Sequence, residues 1–359
     1  MIKVIVIDDE PPILNAVAKM IEQLNENFEV VGKSLNGEDA LTLIQTLKPD
    51  VIFTDIKMPV MDGLSLIEKL NALDIMPVSI ILSSYAEFEY ARKALKYGVF
   101  DYLIKPVNLD VLKDLLSKIY EKVSLLKKAR EIQALEKMIK DASMFNKKDL
   151  NTQGFEIFTL YKYMCILFCA GSYCSYHSSS LTPGQDFWAK NNLDEIIIKN
   201  IKQPIQFWII DGEHNNEKIV LLGTDHDFGN ELKDVAMKIY DLLNSNEIFI
   251  TAVFSAVFDK IAQFSIQVQN LQNTLRRYIC FGVSQLIPEY EIKTASKRGD
   301  STILNSSWEN YFTAIITKME NETFKQNINS LLTVCESRNC RQYILENVLQ
   351  QIYSLFCSI

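Results

Sequence analysis

The fold is indicated most clearly by Val51-Ile52-Phe53-Thr54-Asp55, a short apolar run that ends in a carboxylate. A run of this length without polar alternation is typical of a strand buried on both faces of a parallel sheet. Val4-Ile5-Val6-Ile7 has the same character and is followed by Asp8 and Asp9. Two such strands, each with acidic residues at its carboxyl end, predict an α/β domain at the start of the chain.

Three further apolar runs complete the pattern over residues 1–120, namely Phe28–Gly32, Val78–Leu82 and Tyr102–Ile104. Helical spacing separates these runs at residues 13–24, 37–47, 64–70 and 88–97, and another helix is predicted to begin at Leu109. Strands that alternate with helices predict a doubly wound, five-stranded parallel sheet with helices on both faces. In such a sheet the functional crevice lies at the carboxyl ends of the strands.

The side chains at these strand ends are suited to a metal ion and a phosphoryl group. Asp8, Asp9 and Asp55 are expected to converge, because the first and third strands are neighbours in a doubly wound sheet. Three carboxylates this close repel one another unless protons or a cation are present, and oxygen ligands of this kind suit Mg²⁺. Lys105 and Ser83, which end the fifth and fourth strands, can contact phosphoryl oxygens. The set is complete for an aspartyl phosphate.

Four strings resemble the hallmarks of the receiver domain of two-component response regulators. They stand, in order and at strand ends, as Val6–Glu10, Asp55–Gly63, Leu82-Ser83-Ser84 and Asp101–Pro106. Any one string is a weak signal, whereas all four together are specific. The resemblance covers residues 1–120 and implies the flavodoxin-like fold of receiver domains.

The resemblance implies a phosphoacceptor and a metal site. Asp55 would accept a phosphoryl group from a sensor histidine kinase and become 4-aspartylphosphate. Asp8, Asp9, Asp55 and the backbone carbonyl of Lys57 would hold Mg²⁺. A response regulator of this kind relays the signal by a change of conformation or by dimerisation, and the chain itself is not expected to be an enzyme.

The resemblance also implies switch residues. Lys105 and Ser83 would contact the phosphoryl group, Tyr102 would turn inward beside Ser83, and the peptide bond before Pro106 would be cis. Each residue also has a plain structural interpretation, since a strand-end acid pair is more often a solvated loop and a Lys-Pro pair is a turn. Gly63 is expected to serve backbone geometry rather than chemistry.

Residues 121–148 are predicted to form a helical linker. Apolar residues alternate steps of four and three from Leu112 to Leu126, and the pattern resumes after a slip at Ile132, Leu135 and Ile139. This spacing is typical of a coiled coil. The first half of the helix is expected to pack on its own domain, and the linker is expected to support a homodimer.

Residues 149–290 predict a second α/β domain. Its strands are expected at Phe158–Ala170, Ile205–Ile210, Lys218–Leu222 and Ile248–Phe254. The second and third strands flank the turn-rich stretch Asp211–Asn216, which predicts a hairpin. The region resembles the degenerate GGDEF-like, cyclase-like domain of AraC-type response regulators. An active cyclase would carry a Gly-Gly-Asp/Glu-Glu-Phe turn on this hairpin, so we expect no cyclase activity.

Residues 300–359 are predicted to be helical, and two interpretations of the output stay open. AraC-type regulators carry DNA-reading helix-turn-helix units and act in transcriptional regulation. In this stretch Arg338 and Arg341 are offset by Glu336 and Glu346, and no basic stripe is present. DNA binding is therefore expected only if such a unit lies beyond or hidden in this chain. The alternative is a regulator that acts by protein–protein association alone.

Composition narrows the class of protein. The 359 residues contain 37 Lys and Arg against 45 Asp and Glu, for a net charge of −8. An excess of acid disfavours a protein that coats nucleic acid non-specifically. No apolar run approaches the ~18 residues of a membrane span, and the start does not resemble a signal peptide. We therefore expect a cytoplasmic protein without a membrane partner.

The seven cysteines all follow residue 164 and do not form a disulfide framework, since their number is odd. Cys165, Cys169, Cys174 and His177 are close in sequence and form a candidate zinc site. Their separations are wider than the usual ligand pairs, and the first two lie in a hydrophobic run. Buried, reduced thiols are the favoured interpretation.

Overall fold

The computed structural model describes residues 1–84, 96–140, 158, 162–171, 183–201, 205–225, 229–244, 248–280, 282–288, 312–316, 321–337 and 339–358. The chain divides into two compact units, Met1–Ala129 and Arg130–Ile359. The helix predicted at residues 88–97 falls largely outside the described residues, as do Cys174 and His177 of the candidate zinc site.

The first unit contains the predicted parallel sheet. Its strands are β1 (Ile2–Ile7), β2 (Phe28–Ser34), β3 (Val51–Asp55), β4 (Val78–Ser83) and β5 (Asp101–Ile104). They stand in the order β2-β1-β3-β4-β5, and every neighbouring pair is parallel. The described helices are α1 (Pro11–Leu24), α2 (Gly37–Leu47), α3 (Gly63–Ala72) and α4 (Leu109–Lys140). This order places the carboxyl ends of β1 and β3 side by side.

The sheet of the first unit is buried on both faces. Val4 and Val6 of β1 pack in one core with residues of α1 and the first half of α4. Ile5 and Ile7, which point the other way, pack in a second core with residues of α2 and α3. Because successive strand residues face opposite sides, a run without polar alternation is what a doubly covered sheet requires.

Helix α4 runs without a break for 32 residues. Its first half contributes Leu112, Leu116 and Ile119 to the core of the first unit, as predicted. Near its end, Leu135 is buried in a core of the second unit, and Ile132 and Ile139 pack against that core. The sequence predicts a coiled-coil seam at these last positions, whereas in the structure they pack in a core of the same chain. The homodimer itself stays a prediction.

The second unit contains a mixed five-stranded sheet. Its strands are β6 (Lys162–Ala170), β7 (Gln206–Asp211), β8 (Glu217–Thr224), β9 (Ile250–Phe254) and β10 (Gln285–Pro288). The order is β10-β9-β6-β8-β7, with β6 antiparallel to both of its neighbours. β7 and β8 form the predicted antiparallel hairpin. The first strand begins at Lys162, later than predicted, and Phe158 is buried outside it.

Helices cover this sheet and continue beyond it. They are α5 (Pro183–Lys190), α6 (Leu193–Asn200), α7 (Gly229–Leu243), α8 (Phe264–Tyr278), α9 (Asn321–Ser337) and α10 (Gln342–Ser358). Residues 312–316 are also helical, and Phe312 packs with α9 and α10 in a separate small core. Cys165 and Cys169 are buried thiols of β6. Within the described part of the chain, no helix has the length and apolar character needed to cross a membrane.

Candidate functional site

One ammonium group joins two carboxylates at the carboxyl edge of the parallel sheet. Lys105, directly after β5, places Nζ 2.6 Å from Oδ2 of Asp8 and 2.8 Å from Oδ1 of Asp55. Asp8 follows β1 and Asp55 ends β3, so three strands each supply one charged group. The side chains of Lys105, Asp8 and Asp55 are only 7%, 0% and 10% exposed. The convergence of these three residues agrees with the sequence-based expectation.

Backbone contacts hold the strand ends that carry the site. The carbonyl of Ser83, at the end of β4, accepts the N–H of Lys105 at 2.7 Å. The N–H of Asp8 donates to the carbonyl of Ser34 at 3.1 Å, which extends the pairing of β1 and β2. These contacts fix the backbone positions of Lys105 and Asp8, from which their side chains extend into the site.

Gly63 allows the loop after β3 to fold back on the site. Its N–H donates to the carbonyl of Ile56 at 3.0 Å. A Cβ atom at this position would lie 2.1 Å from the carbonyl oxygen of Asp55, which is too close for any side chain. The side chain of Asp62 accepts the N–H of Ser65 and caps α3. The Asp-Gly pair thus closes the loop next to Asp55.

Burial and neighbouring charges both shift the pKa values of Asp55 and Lys105, the two groups nearest the centre. Burial raises the pKa of Asp55, the nearby Lys105 ammonium opposes this, and the charges of Asp8 and Asp9 add to the increase. Burial disfavours the charged form of Lys105, but its contacts with Asp55 and Asp8 outweigh that effect and raise its pKa. Lys105 therefore remains an ammonium group between the carboxylates at neutral pH.

The remaining predicted residues lie around this centre. The N–H of Lys57 donates to Oδ2 of Asp55 at 3.2 Å, whereas Asp9 is exposed. Ser83 is buried, and Tyr102 on β5 is half-buried against the core on the α2 and α3 side of the sheet. The Lys105–Pro106 peptide bond is cis.

The donor set fits Mg²⁺ in its chemistry, although the described residues show no ready-made cluster. No group of three or more acidic, cysteine or histidine side chains in the described ranges is arranged to hold a metal ion. Oδ2 of Asp8 contacts Lys105 as an ion pair but accepts no hydrogen bond of ordinary geometry, although it is buried. Mg²⁺ uses one or two carboxylates and keeps several waters, so a complete protein cage is not required.

Two local hydrogen bonds of the site were not predicted. The hydroxyl of Thr54 donates to the carbonyl of Asp55 at 3.0 Å, and Oδ1 of Asp8 accepts the N–H of Glu10 at 3.0 Å. The second is an Asx-turn, in which an aspartate binds the backbone two residues on. An acid at a strand end followed by a loop is a signal that could have indicated it.

The parallel sheet, with an aspartate pair, a further aspartate and a lysine at its carboxyl edge, defines the first unit as a receiver domain. Residues 4–117 match the family model described as a response regulator receiver domain, so this part of the chain belongs to that family. The chain therefore carries the receiver module of two-component systems.

Curated relatives resemble about a third of this chain. The uncharacterized transcriptional regulatory protein YesN of Bacillus subtilis (strain 168) is 44% identical over 108 residues, which is 30% of this chain and 29% of the relative. The transcriptional regulatory protein HptR of Staphylococcus aureus (strain N315) is 36% identical over 119 residues, or 33% of this chain and 46% of the relative. The chain thus spans less than half the length of either relative.

A solved receiver domain is also similar to part of this chain. The REC domain of AraT, a response regulator from Geobacillus stearothermophilus, is 35% identical, with a TM-score of 0.33. That match covers 35% of this chain and 97% of the solved chain.

Proposed function

We propose that this chain is a response regulator of a two-component phosphorelay and that Asp55 accepts a phosphoryl group from a histidine kinase. The observation that carries the proposal is the contact of the Lys105 ammonium with both Asp8 and Asp55 at the carboxyl edge of the sheet. A structural salt bridge needs one acid, whereas this arrangement keeps two buried carboxylates beside one cation. The excess negative charge of such a site favours a bound cation, which would allow an anionic phosphoryl group to approach.

The proposed reaction is a transfer between nitrogen and oxygen. A carboxylate oxygen of Asp55 forms a bond to phosphorus while the P–N bond of the phosphohistidine breaks, and the electron pair of that bond returns to the imidazole nitrogen. The ammonium of Lys105 lies where negative charge collects on the phosphoryl oxygens, and it stabilises that charge. Burial of Asp55 keeps water away from its carboxylate and strengthens these interactions.

The proposal assigns the metal site to Asp8, Asp9, Asp55 and the backbone carbonyl of Lys57. When bound there, Mg²⁺ supplies positive charge that offsets the repulsion between the carboxylates and the phosphoryl group. The convergence of the buried Asp8 and Asp55 carboxylates on one ammonium, with Asp9 next in sequence, supports this assignment.

The proposal assigns the switch to Ser83 and Tyr102. A bound phosphoryl group carries a charge of about −1.5 to −2 at neutral pH in place of the single charge of the Asp55 carboxylate, and the Ser83 hydroxyl would donate to one of its oxygens. Tyr102 would then turn inward beside Ser83. Ser83 ends β4, which is next to the strand that carries Asp55, and Tyr102 lies on β5, the next strand outward, so a local change of charge would reach the outer surface of β5.

The substitution Asp55→Asn tests the phosphoacceptor. We expect the variant to gain no phosphoryl group from acetyl phosphate or a kinase in the presence of Mg²⁺, because the amide lacks the nucleophilic oxygen. Intact-mass spectrometry measures the gain. The matched control is Asp114→Asn, on the exposed face of α4, which should be phosphorylated like the parent. A phosphoryl mass gained by Asp55→Asn would remove Asp55 from the acceptor role.

We propose a role in transcriptional regulation, with homodimerisation as the relay. YesN and HptR, which resemble the receiver part of this chain, are named transcriptional regulatory proteins. The proposed domains are a receiver at 1–120, a linker at 121–148, a degenerate cyclase-like domain at 149–290 and a helical segment at 300–359. The alternative is association with proteins alone.

Sedimentation and DNA binding distinguish these outputs. The full chain would be compared with and without phosphorylation, using Asp55→Asn as the unphosphorylated reference. Phosphorylation-dependent dimers that bind promoter DNA would support transcriptional control by the chain itself. Dimers that do not bind DNA would favour association with proteins alone. A chain that stays monomeric with and without phosphorylation would contradict homodimerisation as the relay.

The proposed middle domain has no cyclase role, and the contacts of its hairpin support this. Glu213 forms an ion pair with Arg276, with Oε2 and Nη2 2.6 Å apart. Glu217 is buried and accepts the backbone N–H groups of Glu213 and His214. Carboxylates engaged in these contacts are poorly placed to bind a metal and a nucleotide. Absence of GTP turnover by the full chain is the expected result.

A further inference from the structure

A cavity of about 380 Å³ opens within the second unit. The turn between β7 and β8, the end of α8 and the first turns of α10 form its walls, through Glu213, His214, Arg276, Ile279, Tyr343 and Glu346. The proposed function of the receiver makes no use of this cavity. Pockets that bind small molecules are often found where separate packing layers meet, as they do here.

The walls of the cavity are held together by backbone contacts. The N–H of Gln342, at the start of α10, donates to the carbonyl of Ile279 at 2.8 Å. Next to it, Cys280 and Arg341 form an isolated antiparallel bridge. The guanidinium of Arg341 lies 4.9 Å from the centre of the Tyr278 ring. The start of α10 is therefore fixed to the end of α8, and the cavity between them is preformed.

Buried contacts also fix the wall of the cavity that the β7–β8 turn forms. Oε2 of Glu217 accepts the N–H groups of Glu213 and His214 at 3.0 and 3.4 Å, and Oε1 lies 3.1 Å from Nδ1 of His214. Because Glu217 itself is almost completely buried, these contacts orient the turn that forms one wall.

Among the described residues that line the cavity, one carboxylate has no cationic partner. Arg276 and Glu213 form an ion pair, so their charges offset each other. Oε1 of Glu346 accepts a hydrogen bond at 2.8 Å from the uncharged amide of Gln342, and no cation in the described ranges pairs with it. Ile279 and Tyr343 add apolar and aromatic surface beside these groups.

We propose that this cavity binds a small organic cation, a primary amine or guanidinium compound whose charged group pairs with Glu346. Its hydrocarbon part would lie against Ile279 and Tyr343. The inference goes beyond the phosphoacceptor function and does not depend on it. A bound cation would contact the hairpin and α10 together, and it would therefore stabilise the attachment of α10 to the rest of the unit.

Calorimetric titration of the full chain with agmatine and putrescine tests the proposal, with succinate as a probe of similar length and opposite charge. Ionic strength is held constant throughout. We expect saturable binding of agmatine or putrescine and none of succinate. Glu346→Gln should weaken that binding by about ten-fold or more, because it removes the charge and keeps the shape.

The matched control is Glu322→Gln, which removes an exposed carboxylate of α9 from outside the cavity. It should bind the cations like the parent chain. Circular dichroism and thermal melting establish that both variants are folded, which is expected because Glu346 is exposed. The proposal is overturned if neither cation binds saturably at millimolar concentration, or if Glu346→Gln and Glu322→Gln have equal effects.

Discussion

At the scale of the residue, Lys105 is the group on which the site depends. Its ammonium is almost completely buried and contacts two carboxylates that are themselves buried. A buried ion pair adds little net stability when compared with apolar packing, but the loss of one partner leaves an uncompensated charge. Here the loss of Lys105 would leave two.

Lys105→Met should therefore lower the free energy of unfolding of the receiver by about 3 kcal/mol, since Asp8 and Asp55 would repel each other without a cation. Hydrogen exchange of the β1 and β3 amides in urea, measured on the full chain, reports this loss. The control is Lys127→Met, because Lys127 pairs with Asp50 at 2.8 Å but is 33% exposed. That partly exposed pair should contribute less than about 1 kcal/mol. Equal losses would contradict our account.

At the scale of the element, the loop between β3 and α3 depends on one position without a side chain. Gly63→Ala should destabilise the receiver by about 2–3 kcal/mol, because its Cβ would meet the carbonyl oxygen of Asp55 and displace the loop. Hydrogen exchange of α3 amides measures the effect. Gly98→Ala is the comparison, since Gly98 has a φ of +76° but open space around it. Its cost should be about 1 kcal/mol, from backbone strain alone.

The β7–β8 hairpin carries a pH dependence of its own. Burial raises the pKa of Glu217, and the neighbouring His214 opposes this. When folding raises the pKa of a carboxyl group, the folded state favours the neutral form of that group. The group then stabilises the folded state at low pH, and this contribution is lost as the pH rises through the raised pKa. Glu217→Gln stays neutral and keeps an acceptor for the two backbone N–H groups.

The variant should therefore be more stable than the parent chain at about pH 7, and the difference should shrink towards about pH 4. Thermal melting of both proteins across this range measures it. Glu213→Gln, at an exposed position of the same turn, provides the comparison. A difference between Glu217→Gln and the parent that does not change with pH would show that the Glu217 carboxylate is not disfavoured by burial.

At the scale of the whole molecule, α4 belongs to two cores. Its first half packs within the first unit, and its last turns pack within the second. The indole N–H of Trp208, on β7, donates to Oε2 of Glu131 at 2.7 Å. Trp208 is 1% exposed, and its ring lies 5.2 Å from that of Phe158. This hydrogen bond ties the end of α4 to the sheet of the second unit.

Trp208→Phe should keep the aromatic packing and remove this hydrogen bond. We expect the amides of residues 130–140 to exchange faster, by an amount equivalent to about 2 kcal/mol, because a carboxylate loses a buried donor. Hydrogen exchange with mass spectrometry on the full chain measures the change. Glu131→Gln keeps an acceptor oxygen and should change the exchange less. Unchanged protection in Trp208→Phe would mean that apolar packing alone holds the helix end.

Much of the receiver could be predicted from local pattern. The apolar runs indicated β1 to β5, and their acidic and basic ends indicated Asp8, Asp55 and Lys105, because parallel strands bring their carboxyl ends to one edge. The second unit was harder. α5 and α6 are only 8 residues each, and two helical turns give too little periodicity to distinguish them from loops.

The sequence by itself determined the receiver sheet, the residues at its edge and the β7–β8 hairpin, since each depends on periodicity or turn chemistry within a short stretch. Only the tertiary structure decided that the last apolar positions of α4 enter a core of the second unit and that Glu217 is buried under its own turn. Trp208 and Glu131 are 77 residues apart in sequence. Burial and pairing over such separations are set by the packing of whole elements, which no local pattern of residue types specifies.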